Sequence, residues 1–416
     1  MVSRAIIAHN KVPQDTQTIT GSKIWTCYGF KIKIPAQILF GTLRIIILKK
    51  QKIFSRMSGQ SSFWIALMFI MTIGIMFFAN PADAARTDPA EVFLNQCQNL
   101  GADAVTRGRP VISGQDGWLF LTREIVHLGK KQFWGPAATS TGTASKPEHR
   151  DPLPAILDFA DSLKQTGIHL ILMPIPGKAA VYPEKLMRDS GVSSVSVRMD
   201  PYHAAFYALL KDRGVDVLDL TPIFLKAKKS KKEPLYCLTD THWSGAGCEL
   251  AARAVTEHML SRKILDAIKS PPLTADKKPV EISGDLIRLL NPAQSAKETL
   301  SLRFITDEKN HPAAPLTPDS GSPVLILADS HGLVFHAGQD MHATGAGFFE
   351  QLSYELGQLV DLIAVRGSGA TPARINLMRR VQNDPNYLKQ KKIIIWCFTS
   401  REFTESDGWR NVPVTR

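Results

Sequence analysis

The sequence lacks the patterns that mark several large classes of protein. It has no internal repeat, no CxxC pair and no motif typical of RNA- or DNA-binding domains. Acidic residues are scarce at the N-terminus, where residues 1–84 hold ten Lys or Arg but only Asp15 and Asp83. Residues 85–416 carry 40 basic and 36 acidic residues, so most of the formal net charge of +12 lies outside the expected folded region. The charge therefore does not indicate a nucleic-acid partner, and no zinc ribbon or thioredoxin-type motif is predicted.

One uncharged apolar run stands out near the N-terminus. It is FWIALMFIMTIGIMFF, residues 63–78, preceded by Lys49, Lys50, Lys52 and Arg56 and followed by an A-x-A-like site at residues 82–84. A basic region, an apolar core and small residues at the cleavage positions are typical of a secretory signal peptide. The core is shorter than the roughly 20 residues of a spanning helix, although an uncleaved anchor remains an alternative. Either way, the sequence predicts that the rest of the chain is exported.

Met57 is a natural start for this signal, and residues 1–56 show no pattern typical of a fold. We interpret them as an upstream extension that reflects an over-long start assignment. The alternative is a membrane-associated segment at residues 37–48, QILFGTLRIIIL, which Arg44 interrupts. The sequence thus predicts three parts: an extension at 1–56, a signal peptide or signal anchor at 57–84, and one exported domain at 85–416.

Four cysteines lie in the expected domain: Cys97, Cys237, Cys248 and Cys397. An even number in an exported chain allows a disulfide, and the pairing that we favour joins Cys97 to the region of Cys237 and Cys248. The alternative is four buried free thiols, because cysteine is among the residues most often buried.

From residue 151 onward, short apolar strands alternate with amphipathic helices. The predicted strands are nearly continuous apolar runs, as in IHLILMPI at 168–175, VDVLDL at 215–220 and the run at 393–398. This pattern favours an α/β fold with a mainly parallel sheet and helices on both faces. Two other stretches predict loops: residues 135–150, rich in Ala, Thr, Ser, Pro and Gly, and the lysine run at 226–232.

Two short stretches supply an acid, a base and a hydroxyl. LTDTHWSGAG, residues 238–247, places Asp240 and His242 one residue apart, and VLILADSHG, residues 324–332, places Ser330 at a strand end. Ligands of doubly wound sheets bind beyond the carboxyl ends of the strands. A serine is a nucleophile only when a base takes its proton, which is the candidate role of His242, with Asp240 orienting the imidazole. We expect a His242 ring nitrogen within about 2.6–3.2 Å of the Ser330 oxygen.

Ordinary structural interpretations compete with this one. Ser330 would cap the helix that follows it, and His242 would be a partly buried histidine with satisfied hydrogen bonds. A metal site is a further alternative, because five candidate ligands crowd into fourteen residues: Asp329, His331, His336, Asp340 and His342. Their spacing matches neither HExxH nor a standard zinc pattern, so no metal is predicted.

Acyl transfer also needs hydrogen-bond donors for an oxyanion. The backbone N–H of Ser330 is one candidate. The loop RGSGA follows another predicted strand, and its glycines allow close backbone approach, so Gly367 and Gly369 are further candidates. The alternative is an ordinary strand-to-helix turn.

Two cations follow other strand ends. Arg401, in WCFTSRE, is a candidate for binding an anionic or sugar substrate, and pairing with Glu402 is the alternative. Lys178, in PIPGKAAVYPEKL, is expected to line the same cleft.

Taken together in this order, these motifs resemble the alginate O-acetyltransferase family, the AlgJ/AlgX-like branch of SGNH-hydrolase-like proteins. The matching motifs are GQDGWLFL, P-x-K-x-x-x-Y-P, TDTHWSGAG, LADSHG and W-x-x-x-x-R-E, which span about residues 114–402. The resemblance implies an SGNH-hydrolase-like fold in which Ser330 carries the acetyl group, His242 is the base and Asp240 orients it. The order is permuted relative to ordinary SGNH hydrolases, because the Asp–His pair precedes the serine.

The same resemblance implies a function. It is a periplasmic O-acetyltransferase that acts on hydroxyls of an exported, alginate-like polysaccharide and receives acetyl groups from a membrane-bound O-acyltransferase. The alternatives are an SGNH-type carbohydrate esterase, which uses water instead of the sugar hydroxyl, and a non-catalytic polysaccharide-export scaffold. No cofactor and no nucleic-acid partner are predicted.

The chain departs from the usual SGNH pattern at two places. ADSH stands where GDS followed by an aromatic residue is common, and the Asn of a GxND motif is missing, with residues 399–401 at the corresponding strand end. The resemblance therefore does not identify the oxyanion donors.

Overall fold

The computed structural model divides the chain into two compact units, Met1–Arg86 and Thr87–Arg416. In the first unit the description covers the backbone of strands β1 (Ile24–Cys27) and β2 (Phe30–Lys33), which pair antiparallel. The remaining described residues are 88–187, 197–229, 233–264, 273–291, 293, 296–307 and 314–415. The predicted signal segment, residues 57–84, lies outside them. Among the helices in these ranges, none has the length and apolar content needed to cross a membrane.

The second unit contains strands and helices in alternation. The strands are β3 (Val111–Ser113), β4 (Leu119–Leu121), β5 (His169–Ile175), β6 (Asp216–Val217), β7 (Leu273–Ile282), β8 (Glu298–Asp307), β9 (Val324–Ala328), β10 (Asp361–Ala364) and β11 (Ile393–Thr399). The helices are α1 (Pro89–Thr106), α2 (Thr122–Leu128), α3 (Ala138–Thr141), α4 (Pro152–Gln165), α5 (Lys178–Val181), α6 (Pro183–Leu186), α7 (Pro201–Asp212), α8 (Leu220–Lys228), α9 (Gly245–Ser261), α10 (Asp285–Leu290), α11 (Phe348–Leu356), α12 (Thr371–Asn383) and α13 (Glu402–Glu405). Single 3₁₀ turns are at Gly135–Ala137, Pro147–His149, Ser330–Gly332, Gln339–Met341 and Tyr387–Gln390.

A parallel sheet lies at the centre of this unit. Five of the described strands form it, in the order β10–β9–β11–β5–β6, and every neighbouring pair is parallel. The last strand in the chain, β11, therefore lies in the middle of the sheet. Because all five strands run the same way, the segments that follow β5, β9, β10 and β11 emerge at one edge.

Both faces of the sheet are buried, which explains the nearly continuous apolar strands. In β9, Val324, Ile326 and Ala328 belong to one core cluster, whereas Leu325 and Leu327 belong to the other. Helices α1, α2, α8, α9 and α11 pack in the first cluster, and α4, α7 and α12 pack in the second. The predicted α/β architecture, a parallel sheet with helices on both faces, is confirmed.

Two predicted loops are more regular than expected. Residues 135–150 contain α3 and two 3₁₀ turns, and they are held by hydrogen bonds from Thr143 N to Thr404 O (2.8 Å) and from Trp409 N to His149 O (2.7 Å). The prediction of a loop without regular structure was therefore wrong for residues 135–150, because contacts with the C-terminal segment supply partners that local composition does not reveal. The lysine run at 226–232 begins inside α8, where Lys228 pairs with Glu184 at 2.8 Å.

The predicted strand at 215–220 is shorter in the structure. Only Asp216 and Val217 pair with β5, and Leu220 already begins α8. The carboxylate of Asp219 accepts a hydrogen bond from Thr221 N at 3.1 Å and so caps this helix, which ends the strand early.

The four described cysteines are buried and unpaired. The favoured disulfide between Cys97 and the region of Cys237 and Cys248 is therefore wrong in this structure, and the alternative of buried thiols holds. Burial raises the pKa of each of these thiols, which keeps them protonated and unreactive.

Candidate functional site

Ser330 lies just beyond the carboxyl end of β9, at the edge where the parallel strands end. Asp329 precedes it and caps the 3₁₀ turn, because its Oδ1 accepts a hydrogen bond from His331 N at 2.8 Å. The other carboxylate oxygen of Asp329 accepts one from Thr399 N, at the end of β11, at 2.8 Å. Asp329, and not Ser330, therefore caps this turn, and the Ser330 hydroxyl takes no part in the cap.

Asp329 is fully buried and remains ionised. Burial opposes ionisation, but the charge and hydrogen bond of His331 and the field of Arg401 together hold the pKa of Asp329 at about 2. An ionised Asp329 fixes the backbone on both sides of the Ser330 turn, through its bonds to His331 N and Thr399 N.

The three residues of the predicted acid–base–hydroxyl set lie together. His242 Nε2 is 2.8 Å from Ser330 Oγ, and His242 Nδ1 is 2.6 Å from Asp240 Oδ1. Asp240 Oδ1 also accepts a hydrogen bond from His242 N at 3.0 Å, so the carboxylate holds both the ring and the backbone of His242. The expected distance between His242 and Ser330 is met.

Burial and charge act in opposite directions on His242. Burial lowers the pKa of the imidazole, the charge and hydrogen bond of Asp240 raise it, and the net result lies above the ordinary value. Asp240 itself is buried, yet its pKa stays well below the usual range because of His242 and His342. The pair therefore resembles an ionised acid beside a titratable base.

Two further residues hold Asp240, and neither was assigned to the site from the sequence. Asp240 Oδ2 accepts hydrogen bonds from Asp285 N and from His342 Nε2, both at 2.8 Å. Asp285 in turn accepts from Thr241 N at 2.8 Å and from Thr241 Oγ1 at 2.6 Å. One sequence signal pointed to His342, its place in a cluster of candidate ligands, and none pointed to Asp285.

Trp243, the residue directly after His242, packs in the core. Its side chain is fully buried, with ring centroids 5.4 Å from His331 and 5.3 Å from Phe348. His331 in turn lies edge-on to His242, at 4.7 Å between centroids. The buried indole thus packs the His242 loop against the turn that carries Ser330.

Lys178 is placed differently from the expectation. It was expected to line the cleft, but its side chain is buried and its ammonium donates to the backbone carbonyls of Leu119 (2.7 Å), Leu238 (2.9 Å) and Asp240 (3.1 Å). Burial lowers its pKa to about 8. The lysine follows β5 as predicted, but the loop that carries Asp240 covers it. Its ammonium therefore stabilises that loop from the protein interior.

Glu298, at the start of β8, holds the same loop from the other side. Its carboxylate accepts hydrogen bonds from Leu238 N and Thr239 N, both at 2.8 Å, and from Thr239 Oγ1 at 2.5 Å. The loop that carries Asp240 and His242, called the acid–base loop below, is therefore held by a buried cation and a carboxylate from separate elements.

Gly367 and Gly369 lie in the loop after β10. A Cβ on Gly369 would be 2.7 Å from Phe398 Cβ and 2.9 Å from Asp329 N, whereas one on Gly367 would meet nothing within 4 Å. Gly369 O accepts a hydrogen bond from Trp396 Nε1 at 2.8 Å. Gly369 thus packs directly on the backbone beside Ser330, and Gly367, with φ +99°, forms the exposed part of the turn.

Arg401 and Glu402 follow β11 at the same edge. Arg401 is half-buried and donates to Thr399 Oγ1 at 3.2 Å. Glu402 is buried, and burial raises its pKa to about 7 although the charge of Arg401 and a hydrogen bond from Ser368 Oγ oppose this. The buried carboxyl of Glu402 was not assigned to the site from the sequence.

The candidate metal ligands are already engaged with protein partners. Asp329 and His331 bind each other at 3.1 Å, and the others pair with residues from separate elements: His336 with Glu350 (2.6 Å), Asp340 with Arg366 (2.8 Å) and His342 with Asp240 (2.8 Å). Ligand atoms of a different group, Asp240, His242 and Asp285, lie within 4.8 Å of one another. Their oxygens and Nδ1 form the hydrogen bonds described above, so a cation there would have to displace them.

Comparisons with known proteins give one consistent result. A family model described as "SGNH hydrolase-like domain, acetyltransferase AlgX" matches residues 111–400. Two curated relatives carry the name "Probable alginate O-acetylase AlgJ". The chain is 25% identical to the one from Pseudomonas putida (strain KT2440) over 304 residues, 71% of this chain and 70% of the relative. It is 26% identical to the one from Pseudomonas aeruginosa (strain PAO1) over 306 residues, 71% of each chain.

Solved structures show the same fold. The O-acetyltransferase domain of Pseudomonas putida AlgJ superposes with a TM-score of 0.52 at 22% identity, over 74% of this chain and 95% of that domain. Pseudomonas aeruginosa AlgX superposes with a TM-score of 0.50 at 18% identity, over 72% of this chain and 64% of that protein. At these identities the superpositions establish the fold alone.

Proposed function

Because the chain belongs to the family described as "SGNH hydrolase-like domain, acetyltransferase AlgX", we propose that it moves an acetyl group through Ser330 onto hydroxyls of an exported polysaccharide. The observation that carries this proposal is the 2.8 Å separation of His242 Nε2 and Ser330 Oγ. A hydroxyl and a buried imidazole at that distance are arranged for proton transfer. The names of the curated relatives support acetylation of an alginate-like polymer.

The reaction has two balanced steps. Ser330 Oγ attacks the acetyl carbonyl of the donor while its proton moves to His242 Nε2, and the departing donor group takes that proton as the bond to acetyl breaks. A sugar hydroxyl then attacks acetyl-Ser330 and gives its proton to His242, which returns it to Ser330 Oγ. Asp240 keeps Nδ1 protonated and stabilises the imidazolium of each step.

Charge on the carbonyl oxygen requires donors that are present before the reaction. We assign this role to the backbone N–H of Ser330 and to an N–H of the 367–369 loop. Gly369 is supported by its close approach to Asp329 N, because this loop lies against the nucleophile turn. Gly367 is the alternative donor in the same loop.

Arg401 is the proposed contact for an anionic sugar. It is a half-buried guanidinium at the edge where Ser330 lies, and its one side-chain hydrogen bond in the described residues, to Thr399, leaves donors for a carboxylate. Lys178 has no part in this contact, because backbone carbonyls occupy its ammonium.

The cellular setting is also proposed. The predicted signal segment at 57–84 supports a periplasmic location, either after cleavage or on an uncleaved anchor. A periplasmic acetyl transfer needs a donor from across the membrane, which supports a membrane-bound O-acyltransferase as partner.

A chromogenic acetyl ester tests the proposal. The purified protein is assayed with and without a hydroxyl-bearing oligosaccharide, beside the Ser330→Ala variant. We expect acetyl on the sugar with the native protein and none with Ser330→Ala. Release to water alone would favour the carbohydrate esterase, which uses the same three residues. Equal rates for both proteins would overturn the nucleophile assignment and favour a scaffold.

A further inference from the structure

Asp240 lies between two imidazoles. Its Oδ1 is 2.6 Å from His242 Nδ1, and its Oδ2 is 2.8 Å from His342 Nε2. Asp285 N donates to the same Oδ2 at 2.8 Å. Each carboxylate oxygen therefore has a histidine donor and a backbone donor, and the two histidines lie 100 positions apart in the chain.

The backbone of His342, whose ring binds Asp240, is strained. Its φ is +73° and its ψ is −54°, and Ala343 N donates to Met341 O at 2.9 Å to close a three-residue turn around it. This γ-turn with positive φ is rare and costs free energy in any residue with a side chain. The side chain is 6% exposed, so the strained residue carries a buried ring.

His342 belongs to the segment that carries the nucleophile. Val334 N donates to Ser330 O at 2.9 Å, and Phe335 N donates to Met341 O at 2.8 Å. The loop with His342 is thus hydrogen-bonded, through Phe335, to the turn that holds Ser330. The bond from His342 to Asp240 consequently joins the nucleophile segment to the acid–base loop.

We propose that His342 is a positioning residue for the acetyl transfer: its Nε2–H holds Asp240 Oδ2, so that Asp240 Oδ1 stays on His242 and His242 stays on Ser330. This inference rests on the proposed function. It adds a second histidine that contacts neither the acetyl group nor the nucleophile and acts through Asp240.

The hydrogen bond from His342 also affects the pKa of His242, through the charge of Asp240. The charged or titratable groups that face His242 are Asp240, Asp285, Asp329 and His331. When His342 no longer donates, the Asp240 carboxylate keeps more of its negative charge, and this charge raises the pKa of His242 further. The imidazolium is then favoured, and activity on the acidic side should be lost at a higher pH than in the native protein.

Two substitutions at position 342 distinguish the effect of the hydrogen bond to Asp240 from the effect of side-chain size. His342→Leu removes the donor, and His342→Gln places an amide N–H near the position of Nε2. Both keep a side chain without β-branching at the strained backbone, so the cost of the turn is similar. With para-nitrophenyl acetate we expect His342→Leu to lower kcat about tenfold or more, because a hydrogen bond to a charged group is lost, with a smaller change in KM. We expect His342→Gln to recover most of kcat.

His336→Leu is the matched control. It removes a histidine of the same segment from a buried carboxylate, that of Glu350 in α11 at 2.6 Å. In the described residues, that carboxylate makes no hydrogen bond to Asp240. We expect a lower melting temperature with kcat nearly unchanged. If His342→Leu does not fold, His342→Asn replaces it, because the shorter amide does not reach Asp240.

The outcomes are distinguishable when Ser330→Ala is measured beside them with the full chain. A native kcat and pH profile in His342→Leu, with Ser330→Ala inactive, would overturn the inference and leave the proposed function intact. Equal losses in the Leu and Gln variants would also overturn it, because donation would then not be the cause. Native rates in Ser330→Ala would remove the proposed function and the inference together.

Discussion

The ammonium of Lys178 donates a hydrogen bond to the backbone carbonyl of Asp240 at 3.1 Å, from a position that solvent does not reach. The same group binds two more carbonyls, of Leu119 and Leu238, and lies over the rings of Trp118 and Phe120. A single buried cation thus joins β4, the acid–base loop and the end of β5.

We predict that Lys178→Met lowers the free energy of unfolding by about 3 kcal/mol, because three buried carbonyls lose their donor. Acetyl-ester turnover should fall as well, since the Asp240 loop loses its support. Urea unfolding and ester kinetics measure the two effects. Lys228→Met is the control: it removes bonds to Val181 O and Glu184 away from the site. A Lys178→Met protein with native stability would contradict the prediction.

The pH dependence of turnover should report His242. The base must be neutral, and the net effect of burial and Asp240 places its pKa above the ordinary value of about 6.5. Activity should therefore be present at high pH and be lost as the pH falls through a value above 6.5. A profile of kcat/KM against pH measures this, and a midpoint below 6 would argue against His242 as the base.

Asp240→Asn should reverse this shift. Without the carboxylate, burial lowers the pKa of His242 against only the smaller effects of Asp285 and Asp329, so the acidic limb should move to lower pH. The plateau should fall by at least about a hundredfold, because the tautomer is no longer fixed. Asp340→Asn, which removes an exposed partner of Arg366, should leave the profile as it was. Identical limbs in Asp240→Asn and the native protein would contradict the coupling.

Glu402 should make stability depend on pH. Burial raises its pKa to about 7 in the folded state, above the ordinary value of about 4.3, so the folded protein binds the extra proton between these values. The free energy of unfolding is therefore unaffected by Glu402 below the lower value, and it decreases as the pH rises through 7. The native protein should lie within about 1 kcal/mol of Glu402→Gln at pH 5 and be about 3 kcal/mol less stable than that variant at pH 8. Urea unfolding checks this, with exposed Glu281→Gln as the control.

The glycines of the 367–369 loop should respond differently to alanine. Gly369→Ala places a Cβ against Phe398 and the backbone of Asp329, so we expect a loss of about 2 kcal/mol or more and a clear fall in kcat. Gly367→Ala meets no neighbour and bears only the strain of φ +99°, about 1 kcal/mol. Thermal melting and ester kinetics compare the two. Equal effects on kcat would contradict a role for close packing beside Ser330.

Sequence patterns predicted the parallel sheet and the proximity of Asp240, His242 and Ser330, because strand ends and the D-x-H spacing are local signals. They did not predict the bonds from His342 and Asp285 to Asp240, since those depend on how distant loops fold together. The ribbon of β7 and β8 was also missed. Most of β7 is exposed on both faces, so it has no alternation of apolar and polar residues that would indicate a strand.

The place of β11 in the sheet has a consequence for folding. This last strand lies between β9 and β5, and its pairing with β5 joins segments more than 200 residues apart. A chain that emerges from its N-terminus has β5 and the His242 loop long before it has the strand that connects them to Ser330. Such long-range pairing makes folding slow, and it delays the assembly of Ser330 with His242 until β11 has been synthesised.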